Sequence, residues 1–200
     1  MSHNSLAQKK PEKYQGILAA AVRVFARKGF YQARVSEIAR EAGVADGTIY
    51  LYFHNKDDIL ISIFEREMQK VIENVQSEIK KTDDPLEKIR LFAKAHLSLI
   101  ESNKDMAEVI QVELRQSSKF MKEYRNEKFL EYLDIISGIV KEGQARGVIR
   151  ADVEPGIVKR AFFGALDEMS RFWVLSSKRK YSINTAAEQI SEFFIKGISV

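Results

Sequence analysis

Covalent chemistry has little to work with in this chain. Its three histidines, His3, His54 and His96, are far apart, and no HExxH, GxSxG or phosphate-cradling glycine loop occurs. A zinc protease, a serine hydrolase and a P-loop enzyme are thereby excluded. The complete lack of cysteine rules out disulfide scaffolds, thiolate zinc sites, iron–sulfur clusters and cysteine nucleophiles together. Carboxylates such as Glu131 and Asp134 fall at ordinary surface spacing on a helix. No catalytic residue, metal ligand or cofactor is expected, and the chemistry to look for is recognition.

One stretch has the spacing for it. Between Ser36 and Tyr52, Ala39, Gly43 and Ile49 stand at offsets of four and six. Two helices that cross closely need a small residue where their backbones meet, a turn residue free to take positive φ, and a bulky apolar plug on the second helix. These three supply those roles, which predicts a helix-turn-helix. On its second helix, Gly47 permits close backbone approach and the hydroxyls of Thr48 and Tyr50 can donate to phosphate. Tyr52 is read as either a groove contact or a packing ring. Lys56 is read as either a phosphate contact beside helix N-terminal amides or a solvated charge.

Helices must position these groups. Only three prolines and ten glycines interrupt 200 residues, and apolar residues recur at helical spacing almost throughout. A first helix carries Ile17, Ala20, Ala21, Val24 and Phe25 and stops at Lys28-Gly29. Ser36 is read as the cap of a second, ended by Gly43, and a third spans about 46–53. Asn55 caps a fourth of roughly 25 residues. Further helices are read near 86–102, 104–115 and 118–146, from Pro155 to about Ser176, and from a cap at Asn184 to the end. The fold expected is all-α, of about nine helices. Helices are short up to about residue 54 and long beyond it, so the chain is read as two domains, 1–54, with about the first 12 residues flexible, and a larger 55–200.

Charge agrees with a polyanionic partner. Residues 1–60 hold nine Lys or Arg against six acids, while the other 140 hold 23 against 22, so the excess is concentrated in front. The N-terminus MSHNSLAQKKPEKYQ is polar, and the longest unbroken apolar run, Ile17 to Val22, is far short of the roughly 18 residues of a membrane span. A cytoplasmic location without membrane contact is expected.

Residues 14–64 resemble the DNA-binding domain of the TetR family of repressors. The likeness is carried by Phe25, Lys28-Gly29-Phe30, Ile38-Ala39, Ala42-Gly43-Val44, Gly47-Thr48-Ile49-Tyr50, Tyr52-Phe53, Lys56 and Leu60. It implies a homodimer of helical subunits on double-stranded operator DNA, with an effector cavity whose filling releases the DNA. Carried onto this chain, the DNA-binding residues are Arg34, Ser36, Ala45, Asp46, Gly47, Thr48, Tyr50, Tyr52, His54 and Lys56. Two positions depart from the pattern. Ala45 stands where the family often has a capping Ser or Thr, and Asp46 where a basic or small residue is common; Asp46 is expected to cap the third helix. Ala45–Phe53 and Gln111–Ser117 are also similar to the TetR-type fatty-acid-degradation regulators of Gram-positive bacteria. That likeness implies long-chain acyl-CoA or a fatty acid as inducer and β-oxidation genes as targets. The alternative is a TetR-type repressor of a drug-efflux or other operon, induced by a different hydrophobic molecule.

An acyl tail needs an apolar tunnel between helices, and a CoA head needs cations at its mouth. The effector candidates are Phe92, His96, Leu99, Ile100, Met106, Val109, Ile110, Glu113, Arg115, Tyr124, Phe129, Leu133, Phe162 and Leu166. Each of the apolar ones can equally be plain core, His96 a satisfied core histidine, and Arg115 part of a solvated basic face. The last two helices are apolar over so wide an arc that they need two partners. Phe163, Met169, Phe172, Trp173, Phe193 and Phe194 are therefore read as an isologous dimer interface. Such a dimer sets two recognition helices roughly 34–36 Å apart.

Overall fold

The computed structural model describes residues 4–117, 120, 127–176 and 180–200. Among the described residues there are nine α-helices and no strand beyond one isolated bridge. They are α1 Asn4–Lys28, α2 Val35–Glu41, α3 Asp46–Ile49, α4 Lys56–Ile79, α5 Pro85–Ser102, α6 Lys104–Glu108, α7 Glu127–Ala145, α8 Pro155–Leu175 and α9 Ile183–Ile198. The all-α expectation is met. Two compact units divide these elements: one takes the described residues of Met1–Arg66 and Asp105–Tyr124, the other those of Glu67–Lys104 and Arg125–Val200.

The first unit is built on α1. It starts at Asn4, inside the stretch expected to be flexible, where Ala, Gln, Lys and Glu are strong helix formers. Ile17, Leu18, Ala20, Ala21, Val24 and Phe25 are fully buried along one stripe. Ion pairs from Arg23 (2.7 Å) and Arg27 (3.3 Å) to Glu41 and from Lys28 to Glu37 link α1 to α2, and being exposed they add little stability. These partners hold the carboxyls of Glu37 and Glu41 below the ordinary range, the Lys28 hydrogen bond being the main cause for Glu37 and the Arg23 hydrogen bond for Glu41.

Gly43 has φ +68°, a left-handed conformation that side chains with a Cβ resist, and α2 and α3 turn about it. Ala39 and Ile49 are buried to 0% and 1% exposure on the two helices, as the plug-and-socket reading requires. The helix starts differ from the reading in detail. Arg34, not Ser36, is the N-cap of α2, because Glu37 at the third position accepts from the Arg34 N–H at 3.1 Å. Ala45 is the N-cap of α3, so Asp46 does not cap; it sits in the first turn, where the dipole favours an acid. Helical hydrogen bonding runs on from α3 through Phe53, whose N–H donates to the Ile49 carbonyl at 3.0 Å. Asn55 caps α4 as expected, its Oδ1 accepting from Asp58 N–H at 2.9 Å.

The segment read as one helix over 104–115 is three geometries in succession. α6 passes into a π-helical turn, Val109–Glu113, and then a 3₁₀ turn, Leu114–Gln116. Of the helix read over 118–146, Glu127–Ala145 is described.

In the second unit α5 packs on α7, α8 and α9, and α7 on α8. Its core holds Phe92, Tyr132, Leu133, Ile136, Phe162 and Leu166, each at most 1% exposed. Gly143 is needed for close approach: a Cβ there would stand 2.4 Å from Ile149 Cδ1. Ser182, not Asn184, caps α9, its Oγ accepting from Thr185 N–H at 3.0 Å. The two polar residues flank the buried Ile183, and the one that precedes it takes the cap.

Candidate functional site

The face that α2 and α3 offer to solvent is small and mixed. Arg34, Ser36, Ala45, Asp46, Gly47 and His54 are exposed, and Thr48 is half-buried. Tyr50 is 58% exposed. Tyr52 is half-buried, its ring 6.2 Å from Tyr14 and 6.4 Å from Phe53, so the packing reading describes most of its surface. The sequence reading missed Leu51, which at 80% is more exposed than any other described large apolar side chain of this unit, and Tyr31 at 67%. Leu51 was legible in principle. Two residues along a helix are about 200° apart, so burying Ile49 turns Leu51 outward.

Lys56 is placed otherwise than expected. Its ammonium donates to the carbonyls of Phe30, Tyr31 (3.0 Å) and Ala33 (3.1 Å), and lies 4.5 Å over the Phe30 ring. All three N–H groups are thereby engaged inside the unit, and the reading as a phosphate contact is corrected to a clasp on the α1–α2 turn. Burial pushes its pKa down, against the raising charge of Asp57.

The effector candidates fall in both units. Met106, Val109, Ile110, Glu113 and Arg115 belong to the first; Phe92, His96, Leu99, Ile100, Phe129, Leu133, Phe162 and Leu166 belong to the second. Tyr124 lies outside the described residues. Arg115 folds back on its own turn, its Nε donating to the Gln111 carbonyl at 3.0 Å. The Glu113 carboxylate accepts from the Phe30 N–H, which engages it within the first unit.

The second unit contains an aromatic cluster in ring contact. Centroid distances are 5.0 Å for Phe92–Tyr132, 6.0 Å for Phe92–Phe162, 4.8 Å for Phe129–Phe163 and 4.9 Å for Phe162–Phe194. His96 is the polar exception, with Nδ1 2.6 Å from the Tyr132 hydroxyl and Nε2 3.2 Å from Ser170 Oγ. Burial lowers its pKa to about 4, opposed by the charge of Asp167, so the ring is neutral at physiological pH. The satisfied-histidine reading accounts for both its nitrogens. A separate cleft of about 380 Å³ in this unit is lined by Gln76, Lys80, Lys88 and Glu142 among others, and by none of the effector candidates.

Of the six residues read as a dimer face, only Trp173 is buried, at 3% exposure. Phe163 and Phe194 are half-buried, the Phe163 ring packing on Phe129 and Phe194 on Phe162. The wide apolar arc had concealed which side belongs to the core. Met169 is half-buried under Tyr181, whose hydroxyl reaches its sulfur at 3.7 Å. Phe172 (45%) and Phe193 (70%) remain exposed. Phe172 continues a solvent-facing stripe on α8, Ile157, Ala161, Gly164, Glu168, Phe172 and Leu175, at helical spacing.

No group of three or more His, Asp or Glu among the described residues could hold a metal, and none of their helices is long and apolar enough to cross a membrane. Comparison with known proteins accounts for both halves of the chain. Residues 17–63 match the model of bacterial regulatory proteins of the tetR family, and 64–197 match that of the YsiA-like protein C-terminal region. A fatty acid metabolism regulator protein of Bacillus subtilis (strain 168) is 40% identical over 193 residues, 96% of this chain and 98% of the relative. The crystal structure of a transcriptional regulator FadR from Bacillus subtilis in complex with stearoyl-CoA matches with a TM-score of 0.85 at 40% identity, covering 92% of this chain and 99% of the other. The fatty acid degradation regulator FadR from Bacillus halodurans matches with the same TM-score at 35% identity, covering 92% and 95%. A Gly-bent helix pair with Ala39 and Ile49 buried at its elbow, ahead of a larger helical body that matches a regulator's C-terminal region, has one consistent reading: the chain belongs to the TetR family of bacterial transcriptional regulators.

Proposed function

We propose that this regulator is a homodimeric, cytoplasmic repressor of fatty-acid degradation genes that leaves its operator when long-chain acyl-CoA binds. The observation that carries the reading is 40% identity to a fatty acid metabolism regulator over 96% of the chain, so the likeness extends through the effector part as well as the head. Residues 1–54 are assigned to DNA and 55–200 to effector and dimer.

On the DNA side, Arg34, Ser36, Thr48 and Tyr50 bring donors, and Gly47 lets the backbone approach. On the effector side, Phe92, Phe129, Phe162 and Leu133 are the apolar groups that an acyl chain would displace or line. The α8 stripe supports the dimer, since it exposes three large apolar side chains, Ile157, Phe172 and Leu175, on one helix face. An effector acts only through its preference for the DNA-incompetent state, and a hundredfold loss of affinity demands about 2.7 kcal/mol of such preference.

The test uses a duplex selected by the protein from a randomised pool. Binding should weaken steeply as salt rises, and saturating stearoyl-CoA should release the duplex and be recovered chemically unchanged. Undiminished duplex affinity in the presence of stearoyl-CoA would exclude acyl-CoA as effector and favour another hydrophobic inducer.

A further inference from the structure

The turn between α1 and α2 is gripped from two directions. Gly29, at φ +78°, ends α1 and donates its own N–H to the Phe25 carbonyl at 2.8 Å. The next amide, Phe30, has left the helix, and its N–H is taken by the carboxylate of Glu113, 83 residues further along the chain. Carbonyls of the same turn, those of Phe30, Tyr31 and Ala33, accept from Lys56. Backbone groups that a turn would otherwise leave to water are thus fixed by one buried acid and one half-buried base.

Glu113 is an unusual choice for this position. It is 6% exposed, and carboxylates are seldom buried so far. It also stands at the C-terminal end of α1, where the helix dipole disfavours an anion. Its placement depends on the π-turn Val109–Glu113 that it ends, a rare geometry found mostly at functional sites. A second tie follows at once: Ser117 Oγ donates to Asp57 Oδ1 at 2.6 Å in the first turn of α4, and accepts from Phe120 N–H at 3.1 Å. The strap Val109–Ser117 therefore holds both the entry to α2 and the start of α4. Those two points bracket the helix-turn-helix, and all of these residues lie in one compact unit.

We propose that Glu113 is a positioning residue for DNA binding, resting on the regulator reading above: by holding the Phe30 amide it preorganises the turn that sets α2, and with it α3, for the duplex. Glu113 itself touches no DNA. A preorganised binding face gains affinity because ordering it costs nothing further at the moment of contact.

The test uses the full chain, a duplex selected from a randomised pool by the wild-type protein, stearoyl-CoA as ligand probe, and amide exchange at Phe30. Glu113→Ala should bind the duplex at least roughly tenfold more weakly, the net worth of a charge-assisted hydrogen bond, and exchange its Phe30 amide faster. Glu113→Gln keeps an acceptor oxygen and should restore both. Stearoyl-CoA affinity should be the same in Ser117→Ala as in the wild type. Ser117→Ala unties the other end, leaving the half-buried Asp57 carboxylate one donor short, and should weaken duplex binding in the same direction, which decides the matter if Glu113→Ala does not fold. Wild-type duplex affinity in either alanine variant overturns the proposal, as does a Glu113→Gln chain that regains slow Phe30 exchange but not duplex binding. Stearoyl-CoA failing to release the wild-type chain counts against the effector reading alone.

Discussion

The Tyr132 hydroxyl and His96 Nδ1 lie 2.6 Å apart inside the aromatic core, and Ser170 closes the same network on the other ring nitrogen at 3.2 Å. A neutral imidazole has one donor and one acceptor, so one hydroxyl must donate to His96 and the other accept from it. Protonation makes both nitrogens donors and breaks that order.

Stability should therefore fall with acid. The folded pKa of His96, about 4, lies below its ordinary value of 6.5, so between those values the unfolded chain binds the extra proton. The contribution is fully present above about pH 6.5 and is lost as pH falls toward 4, up to an amount on the order of 3 kcal/mol. Thermal unfolding of the wild type and of His96→Gln across this window checks it. Parallel curves for the two chains would show that His96 does not titrate there.

Lys56→Met should lower stability by roughly 1–3 kcal/mol, because three turn carbonyls lose their donor. It should leave the slope of log affinity against log salt unaltered, where loss of a phosphate contact would lower the slope by about 1. Duplex titrations at several salt concentrations separate the two.

Leu51→Ala and Tyr50→Ala should each weaken binding to the selected duplex about tenfold, since apolar and hydroxyl groups on an exposed recognition turn meet base edges and phosphates. Stearoyl-CoA affinity should be untouched. Equal losses of both ligands would indicate misfolding.

Phe172→Asp, placed on the exposed α8 stripe, should yield a monomer in sedimentation and abolish binding to a two-half-site duplex. Trp173, one residue along, is 3% exposed; Trp173→Ala should instead cost about 3–5 kcal/mol of fold stability.

Gly143→Ala should destabilise the second unit by roughly 1–3 kcal/mol, as the new methyl meets Ile149 Cδ1 at 2.4 Å and the pair must spread. Adding Ile149→Val should recover part of the loss. No recovery would mean that the strain is taken up elsewhere.

Much of the fold was legible because its signals are local. Asn55 before two aspartates marks a helix start, and Ala39, Gly43 and Ile49 mark an elbow, whatever the rest of the chain does. Caps slipped where neighbouring residues compete, as Ser182 with Asn184, or where a side chain three residues on decides, as Glu37 does for Arg34. The assignments to Lys56 and Glu113 were not legible for a different reason. Both bind backbone groups of residues 30–33, and backbone donors and acceptors leave no trace in residue type. The ring contacts of Phe163 and Phe194 likewise depend on which neighbours α8 and α9 meet, and periodicity alone cannot divide an apolar arc into core and surface.

The π-turn at Val109–Glu113 makes this stretch respond to length in an uncommon way. Such a turn is an α-helical turn carrying one residue too many. Deleting a single residue inside it would restore an ordinary α-helical turn and keep the flanking turns in phase, whereas the same deletion in a regular helix rotates everything downstream by about 100°. In this chain a one-residue gap would be absorbed at that one place.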